Sequence, residues 1–336
     1  MFGVKCFAVF ALLSLGGCVD ETAPVVDDAG PPDLGLGFPT SSAVTIIVEP
    51  SDKGAALVSA INGAKTSIDM SMYLLSSSDV IGALKARAKT IPVRVVLNAQ
   101  FPPGTTPANP NTYVYTELRN AGVSVHWALP QFTFTHAKYL ILDKTTAWIM
   151  TMNTTQSSPT SNREYLAVDS EPADLAELQT LFDGDFNNAP VAAVGPLVVS
   201  PDNSRDRLVQ LMSSAQQTMD VEVESLSDTA LVGAMLERKA AGVVVRAVIE
   251  KGPLTNAQQI ALDQLTQAGV PVVNLGTRLE CHAKSIVVDN RVAYVGSQNF
   301  TSVSLAQNRE IGIVTTSGVK TIADTIAADF KGGLAF

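Results

Sequence analysis

Two stretches of this chain repeat the same ten residues in one register, and this repeat limits the possible folds more than any other feature. The first copy contains His136, Ala137, Lys138, Asp143, Ala147, Asn153, Thr155, Asn162, Arg163 and Glu164. The second copy contains His282, Ala283, Lys284, Asp289, Ala293, Asn299, Thr301, Asn308, Arg309 and Glu310. Matching residues are 146 positions apart, a period far too long for a solenoid. The repeat therefore predicts two similar halves that form an internal pseudo-dimer in a monomeric chain.

The pattern around each copy is that of an α/β protein. Alternating or apolar stretches predict strands at 67–72, 93–97, 218–223 and 243–249. Helical patterns lie at 80–89, 112–120, 173–185, 230–241 and 256–268. Each half thus reads strand, helix, strand, helix, strand, strand, helix, which predicts an α/β sandwich with a mixed sheet. We expect the halves at 43–190 and 191–336, with one active site at their interface.

The first eighteen residues have the pattern of a bacterial lipoprotein signal peptide. Lys5 precedes an apolar stretch, 6–15, that is shorter than the about 20 residues of a membrane-spanning helix. Leu15-Gly16-Gly17-Cys18 resembles the site where such a peptide is cut and the new N-terminal cysteine is lipidated; an ordinary secretory signal is the alternative. Residues 19–42, which are acidic and contain Pro and Gly, predict a flexible tether. We therefore expect a lipid-anchored protein of the bacterial cell envelope, on the periplasmic face or at the outer membrane.

The charge of the chain disfavours a nucleic-acid partner. The formal net charge is −9, of which Lys5 supplies +1 and the tether −5, so the remaining body carries −5. An acidic body has no general attraction for nucleic acid, although a locally basic cleft can still hold a phosphate. The three cysteines, Cys6, Cys18 and Cys281, are too few and too scattered for a disulfide framework or a zinc site.

The repeated residue types suit chemistry on a phosphodiester. His136 and His282 can serve as nucleophile and general acid, because an imidazole pKa of about 6.5 suits both attack and proton transfer. Glu164 and Glu310 can hold each imidazole in one tautomer. Candidate donors for the phosphate oxygens are Lys138, Lys284, Asn153, Asn299, Thr151 and Ser297. Since one half lacks a second histidine, the duplication completes the site.

The second copy predicts how these groups are arranged. Residues 281–289 predict a strand on which His282 and Lys284, two positions apart, leave the same face. A later strand at 310–314 carries Glu310, which we expect to reach back to His282. Each motif would then hold its own imidazole.

The second copy reads His-x-Lys-x4-Asp-x6-Gly-Ser-x-Asn and resembles the signature of the phospholipase D superfamily. The matching residues are His282, Lys284, Asp289, Gly296, Ser297 and Asn299, with Glu310 similar to the family's histidine-orienting carboxylate. The resemblance covers nearly all of the chain after the tether. It implies a phosphodiesterase or phosphatidyltransferase that uses a covalent phosphohistidine and neither metal nor cofactor. It also implies that His136 is the nucleophile and His282 the general acid.

Besides the candidate catalytic residues, each motif contains residues that we expect to shape the backbone, and one of these differs between the two copies. Asp289 begins a turn that we expect it to cap, as does Asp143 in the first copy. Gly296 permits close backbone approach, whereas Met150 stands at the matching position of the first copy. Thr151 follows and keeps a hydroxyl. The bulk of Met150 predicts a narrower phosphate pocket on that side, or an exchange of the nucleophile and acid roles.

Several other residues have two interpretations. Four side chains near the first motif form either an apolar rim of the site or, as we favour, ordinary packing: His126, Trp127, Phe132 and Phe134. Cys281 is either a reactive thiol or, as we favour, a buried structural residue. Arg163 and Arg309 either bind phosphate or form salt bridges in the body, and the pattern favours neither.

The function favoured by the sequence is hydrolysis of a phospholipid head-group ester, which leaves phosphatidate. Transfer of the phosphatidyl group to another alcohol uses the same intermediate. One alternative is a nuclease of the same superfamily, which the acidic body disfavours. Another is a non-enzymatic phosphate-binding lipoprotein, which the two complete sets of His, Lys, Asn and Glu disfavour.

Overall fold

The computed structural model describes residues 35–336. The predicted lipidation site Cys18 and residues 19–34 of the predicted tether lie outside the described residues. The predicted end of the tether at residue 42 is wrong. Leu36 is buried in the hydrophobic core, and the backbone N–H of Ser41 donates to the carbonyl of Val314 at 2.9 Å. Apolar burial and backbone pairing therefore hold this stretch against the folded body.

Each half begins with a strand and a helix and then alternates the two. The first half contains β1 (Val44–Glu49), α1 (Ala55–Gly63), β2 (Ile68–Met72), α2 (Ser78–Arg87), β3 (Val93–Leu97), α3 (Thr112–Asn120), β4 (Ser124–Trp127), β5 (Lys138–Leu142), β6 (Thr146–Met150), α4 (Ser158–Ser161), β7 (Asn162–Asp169) and α5 (Pro172–Phe186). The second half contains β8 (Val198–Ser200), α6 (Ser204–Ser213), β9 (Thr218–Val223), α7 (Thr229–Ala240), β10 (Val244–Ile249), α8 (Asn256–Gln267), β11 (Val272–Asn274), β12 (Glu280–Cys281), β13 (Lys284–Val288), β14 (Val292–Gly296), α9 (Ser302–Ala306), β15 (Glu310–Thr315), α10 (Val319–Gly332) and β16 (Leu334–Ala335).

Local sequence signals explain where several helices begin. The Ser77 hydroxyl accepts from the backbone N–H of Val80 at the start of α2, and Asp228 caps α7 in the same way. Thr255 and Gln258 form a reciprocal capping box at the start of α8. Such caps satisfy backbone donors that have no partner within the helix.

Two mixed sheets, one from each half, form the framework. The first has the order β1-β7-β6-β5-β2-β3-β4, and the second has the order β16-β11-β10-β9-β13-β14-β15-β8. In the first sheet β2, β3 and β4 are parallel to one another, and in the second sheet β9, β10 and β11 are parallel. The strands that carry the motifs pair antiparallel, β5 with β6 and β13 with β14. The predicted fold class, two similar α/β halves with mixed sheets, is confirmed.

A shared core lies between the two sheets. Its side chains come from both halves and from the long helices α5 and α10, and include Tyr139, Ile149, Phe182, Val287 and Ile322. A separate core covers the outer face of each sheet, beneath α1–α3 in one half and α6–α8 in the other. Because one apolar core spans the junction, the halves pack as a single compact unit.

The predicted elements coincide with observed strands and helices, but several observed elements were not predicted. The predicted strands at 93–97 and 218–223 and the predicted helix at 112–120 coincide with β3, β9 and α3. The sequence misses β1, α1 and their counterparts β8 and α6, and also β4 and β11. Among these, β4, β8 and β11 have only three or four residues, too few for a period-2 pattern to stand out. The predicted strand at 281–289 is interrupted between β12 and β13, so His282 lies in a break of the strand.

The break at His282 exists because the two halves exchange a backbone segment. β12 leaves its own sheet and pairs with β7 of the first half, with Cys281 opposite Arg163. The first half does the reverse, since Thr135 bridges to Arg309 and the backbone N–H groups of His136 and Ala137 donate to the carbonyl of Arg309. Each histidine is thereby carried next to a strand of the other half.

Candidate active site

Both histidines line one cleft between the halves. The cleft has a volume of about 830 Å³, and its walls include His136, His282, Asn153 and Asn299. The His136 side chain is 13% exposed and that of His282 is 9% exposed. The two motif copies are therefore brought to a single site, as the duplication predicts.

Each imidazole is held by the glutamate of the opposite half. Nδ1 of His136 lies 2.9 Å from Oε2 of Glu310, and Nδ1 of His282 lies 2.9 Å from Oε1 of Glu164. The prediction that Glu310 reaches back to His282 is wrong, because the exchanged segments place each histidine beside the other half's glutamate strand. With Nδ1 facing a carboxylate, the proton of a neutral ring sits on Nδ1 and Nε2 keeps its lone pair.

Polar neighbours fix both carboxylates. Asn162 donates to Oε1 of Glu164 at 3.1 Å, and Thr151 donates to Oε2 at 2.5 Å. Around Glu310, Asn308 donates at 3.0 Å and Ser304 at 2.5 Å. These contacts leave little freedom for either carboxylate, so each imidazole keeps one orientation.

The hydroxyls of Thr151 and Ser297 were predicted to bind phosphate, and the structure contradicts this. Both side chains are fully buried. Thr151 donates to Glu164, whereas Ser297 accepts from the backbone N–H of Ile311 at 3.1 Å. They support the glutamate strands from behind, outside the cleft.

The two lysines lie beside the histidines but have different partners. Each Nζ donates to the carbonyl of its own histidine, at 2.6 Å for Lys138 and 2.7 Å for Lys284. Lys284 also donates to Glu224 at 2.7 Å. Lys138 instead lies over the ring of Tyr73, 5.1 Å from its centroid.

Glu224 is a site residue that lies outside the ten repeated positions. Its Oε2 accepts from Nζ of Lys284 at 2.7 Å and from Nδ2 of Asn299 at 3.0 Å, and lies 3.6 Å from Nε2 of His282. Glu224 follows β9 directly, as Tyr73 follows β2 in the first half. A signal was therefore present, since the strands at 67–72 and 218–223 match and both continue into the cleft.

Tyr73 occupies on the first side the position that Glu224 occupies on the second. Its ring meets the His136 imidazole edge to face, with centroids 4.6 Å apart. Burial, with the charges of Glu224 and Glu310, raises the pKa of Tyr73 to about 12. Tyr73 is therefore neutral, and the two sides of the cleft differ by one negative charge.

Burial and neighbouring charges shift the ionisable groups in opposite directions. Burial lowers the pKa of His136, and the charge of Glu310 opposes this only in part. Burial also lowers the pKa of Lys138 to about 7. Burial alone would raise the pKa of Glu224, but the charges of Lys284 and His282 outweigh it and hold the pKa well below the usual range. Glu224 therefore stays ionised.

The amide groups of the motif asparagines face this set of charges. Nδ2 of Asn299 donates to Glu224. The amide oxygens of Asn153 and Asn299 are buried and accept no hydrogen bond within the part of the chain that the structure describes. Both side chains line the cleft, in the place expected of phosphate donors.

The aspartates of the motif are structural. Asp143 and Asp289 lie in the predicted turns, both at positive φ, but their carboxylates bind neighbouring loops instead of capping those turns. Their carboxylates accept backbone N–H groups of the loops before β2 and β9, for example Thr66 at 2.6 Å and Gln217 at 2.7 Å. They therefore fix the start of the strand that leads to Tyr73 or Glu224.

Met150 does not narrow the cleft. A Cβ on Gly296 would meet Tyr294 and lie 2.7 Å from Cα of Gly312 on the adjacent strand. In the first half Met150 pairs with Leu166 at the same position of the sheet, and both are buried in the outer core. The pair of glycines in one half is thus replaced by a pair of apolar side chains in the other, away from the site.

The arginines next to the glutamates form salt bridges between the halves. Arg309 contacts Asp185 through two hydrogen bonds of 2.9 Å, and Arg163 contacts Asp329 at 2.5 and 3.2 Å. The salt-bridge interpretation therefore holds for both, and neither arginine faces the cleft.

The remaining candidates are mainly packing residues. His126 stacks on Phe186 with ring centroids 4.0 Å apart, Trp127 stacks on Tyr115, and Phe132 contacts Arg309. Phe134 alone of the four aromatic candidates lines the cleft. Cys281 is fully buried, and burial raises the pKa of its thiol, which agrees with a structural role.

The described residues contain no group of three or more His, Cys, Asp or Glu side chains arranged to hold a metal ion. Within the same residues, no helix is both long and apolar enough to cross a membrane.

A family model described as "Cardiolipin synthase, PLD-like domain" matches residues 57–186 and 208–333. A mitochondrial cardiolipin hydrolase of Chlamydomonas reinhardtii is 29% identical over 120 residues, which cover 36% of this chain and 53% of that protein. Phospholipase D Y of Dictyostelium discoideum is 34% identical over 99 residues, 28% of this chain and 23% of that protein. The chain thus spans about half or less of these two relatives.

Solved structures share the fold over most of the chain. A phosphatidylserine synthase of Haemophilus influenzae superposes with a TM-score of 0.69 at 9% identity, over 90% of both chains. A polyphosphate kinase of Porphyromonas gingivalis gives 0.67 at 14% identity, over 86% of this chain and 47% of that one. At these identities the likeness concerns the fold alone.

Proposed function

This chain belongs to the phospholipase D-like family, and from that premise we propose that it cleaves the head-group ester of a phospholipid through a phosphohistidine intermediate. One observation carries the proposal: two imidazoles, each held at Nδ1 by a carboxylate of the opposite half, line one cleft. Behind each imidazole a buried lysine donates to the backbone carbonyl of the same histidine. A lipid substrate is supported by the relatives named phospholipase D and cardiolipin hydrolase.

In the first step Nε2 of His136 attacks phosphorus. A P–N bond forms and the P–O bond to the head-group alcohol breaks, with its electron pair moving to the alcohol oxygen. His282 gives that oxygen the proton from Nε2, so the alcohol leaves neutral. Lys138, Lys284 and the motif asparagines stabilise the charge on the non-bridging oxygens, where fixed donors in a sheltered site contribute most.

In the second step water attacks phosphorus and gives its proton to His282. The P–N bond breaks, its electron pair returns to His136, and phosphatidate leaves. An alcohol in place of water gives phosphatidyl transfer by the same route. Both histidines end in their starting protonation states.

The two roles follow from the neighbours of each ring. Burial lowers the pKa of His136, which favours the neutral ring that a nucleophile requires. Nε2 of His282 lies 3.6 Å from the Glu224 carboxylate, so the ring that we assign as general acid has a second carboxylate beside it. The exchange of roles considered for the first copy is therefore not favoured.

The test is a paired turnover assay of the purified protein with EDTA present. One arm uses phosphatidylcholine vesicles and measures choline release, and the other uses single-stranded DNA. The variants His136→Ala and His282→Ala accompany both arms. Choline release that both substitutions abolish is the expected result.

Three outcomes would contradict the proposal. Cleavage of DNA alone would identify a nuclease instead. No turnover of either substrate, with phosphate binding retained, would favour a binding protein. Turnover that EDTA abolishes would exclude the metal-free step.

We further propose that Cys18 is lipidated and anchors the protein in a bacterial envelope membrane, as the lipobox-like stretch before it suggests. Several acyl chains together give stable anchoring, since each buried CH₂ contributes ~0.8 kcal/mol. Cys18→Ser should remove incorporation of labelled palmitate and release the protein from the membrane fraction. Unchanged labelling of that variant would contradict the anchor.

A further inference from the structure

The Glu224 carboxylate lies where we expect an oxygen of the substrate phosphate to bind. Its Oε2 accepts hydrogen bonds from two donors of the second motif, Nζ of Lys284 at 2.7 Å and Nδ2 of Asn299 at 3.0 Å. The same oxygen is 3.6 Å from Nε2 of His282. A carboxylate oxygen in these contacts stands in for a non-bridging phosphate oxygen. An arriving phosphate must therefore take over these donors from Glu224.

The displaced Glu224 side chain can turn toward a second cleft beside the catalytic one. Glu224 is 28% exposed and lines both the catalytic cleft and a second, adjoining cleft of about 740 Å³. The walls of the second cleft also carry Glu250 and Glu280. Arg278 also lines this cleft and donates to the carbonyl of Gly332 at 2.7 Å, so three carboxylates stand against one guanidinium. The adjoining cleft therefore offers negative charge beside the leaving-group side of the phosphate.

The charges within the site also limit which phosphodiesters can enter. Glu164, Glu310 and Glu224 face two lysines, and burial lowers the pKa of one of these, Lys138, to about 7. An anionic head group adds a second negative charge to this set without a partner, which is costly in a buried site. A head group with an ammonium brings its own compensation.

Resting on the proposed function, we infer that Glu224 selects substrates whose leaving alcohol carries an ammonium group, such as ethanolamine or choline. When the phosphate takes the Lys284 and Asn299 donors, the freed carboxylate pairs with the ammonium two carbons beyond the ester oxygen. Glu224 acts as a specificity residue for zwitterionic over anionic head groups. On the other side of the cleft stands Tyr73, its neutral counterpart, and there we expect the diacylglycerol part of the lipid to bind.

Binding can be measured separately from turnover. Isothermal calorimetry would compare phosphoethanolamine with monoethyl phosphate, which differs only by lacking the ammonium. In the wild-type protein we expect phosphoethanolamine to bind about tenfold more tightly, a ratio typical of one charge-assisted contact. In Glu224→Gln the ratio should fall to about one, and Glu224→Asp should restore part of it.

The matched control is Glu237→Gln, which removes the same charge at an exposed position of α7 outside both clefts. This variant should keep the wild-type ratio. An unchanged ratio in Glu224→Gln would overturn the inference. A Glu224→Gln variant that binds both ligands more tightly by the same factor would also overturn it, since Glu224 would then only block the phosphate seat.

A turnover arm extends the test to lipids. Vesicles of phosphatidylethanolamine and of phosphatidylglycerol should give a KM ratio that favours the zwitterionic lipid and is lost in Glu224→Gln. If neither lipid is turned over, the proposed function fails, whereas the calorimetric ratio still decides the role of Glu224. The two failures are therefore distinguishable.

Discussion

The two sides of the cleft have the same backbone arrangement but differ in the residue that follows β2 in the first half and β9 in the second. On the first side His136 meets the neutral ring of Tyr73, with centroids 4.6 Å apart. On the second side Nε2 of His282 faces the Glu224 carboxylate at 3.6 Å. The ten repeated residues are the same on both sides, so they cannot assign different roles to the two histidines. The difference teaches that the asymmetry of the reaction is supplied by residues outside the repeat.

The largest expected effect tests whether the two histidines have different roles. His136→Ala and His282→Ala should each reduce turnover by about 10⁵-fold or more, because each removes a group that both steps require. They should differ with a phosphatidyl ester of p-nitrophenol, whose leaving group needs no proton. His282→Ala should then accumulate a phosphoenzyme, detected by intact-protein mass spectrometry, and His136→Ala should not. Accumulation in His136→Ala instead would reverse the assignment.

The next effect tests whether each histidine is held by the glutamate of the opposite half. Glu310→Gln and Glu164→Gln should each lower kcat by about 10³-fold, since the amide no longer holds the imidazole in one tautomer. Glu310→Gln should also lower the pKa of His136, because the charge of Glu310 opposes the effect of burial. The chain has three histidines, so an NMR titration can follow each ring. A change at His282 in Glu310→Gln, with His136 unaffected, would contradict the exchange.

The salt bridges between the halves allow a comparison of stability. Arg309 and Asp185 have side chains 2% and 6% exposed, whereas Arg163 is 14% exposed. Arg309→Met leaves Asp185 buried without its partner and should lower the free energy of unfolding by about 3 to 5 kcal/mol. Arg163→Met should cost less, because Arg163 is itself more exposed than Arg309 and water already screens part of its attraction to Asp329.

Denaturant unfolding monitored by circular dichroism measures both effects. The double variant Arg309→Met with Asp185→Asn is the control, and it should recover part of the loss because no unpaired charge remains. Equal losses for Arg309→Met and Arg163→Met would show that burial does not govern the cost.

The repeat was enough to predict the fold class and to identify the residues of both motifs, because spacing survives in sequence. It could not predict which histidine each glutamate holds, since this depends on the backbone exchange between β12 and β7. It also missed Glu224, because the halves differ there and a repeat shows only what they share. The burial of Thr151 and Ser297 was equally hidden, since a hydroxyl can serve a ligand or a neighbouring strand.

The smallest expected effect concerns the two lysines, which differ in their carboxylate partner. Lys284 has Glu224 at 2.7 Å, whereas no carboxylate oxygen of the described residues lies within 4.0 Å of Lys138. Burial lowers the pKa of Lys138 to about 7, so its charge is present below this pH and is lost above it. The value of kcat/KM, which reports the free enzyme, should therefore fall about tenfold per unit as pH rises above about 7.

Tyr73→Glu removes this difference between the two sides by giving Lys138 the partner that Lys284 already has. An opposite charge at this distance raises a lysine pKa, so the alkaline fall of kcat/KM should move upward by about one pH unit or more. Tyr73→Phe is the matched control, because it keeps the ring over Lys138 and adds no charge. If the alkaline fall stays in place in Tyr73→Glu, the fall belongs to a group other than Lys138, and the missing carboxylate does not explain the difference between the sides.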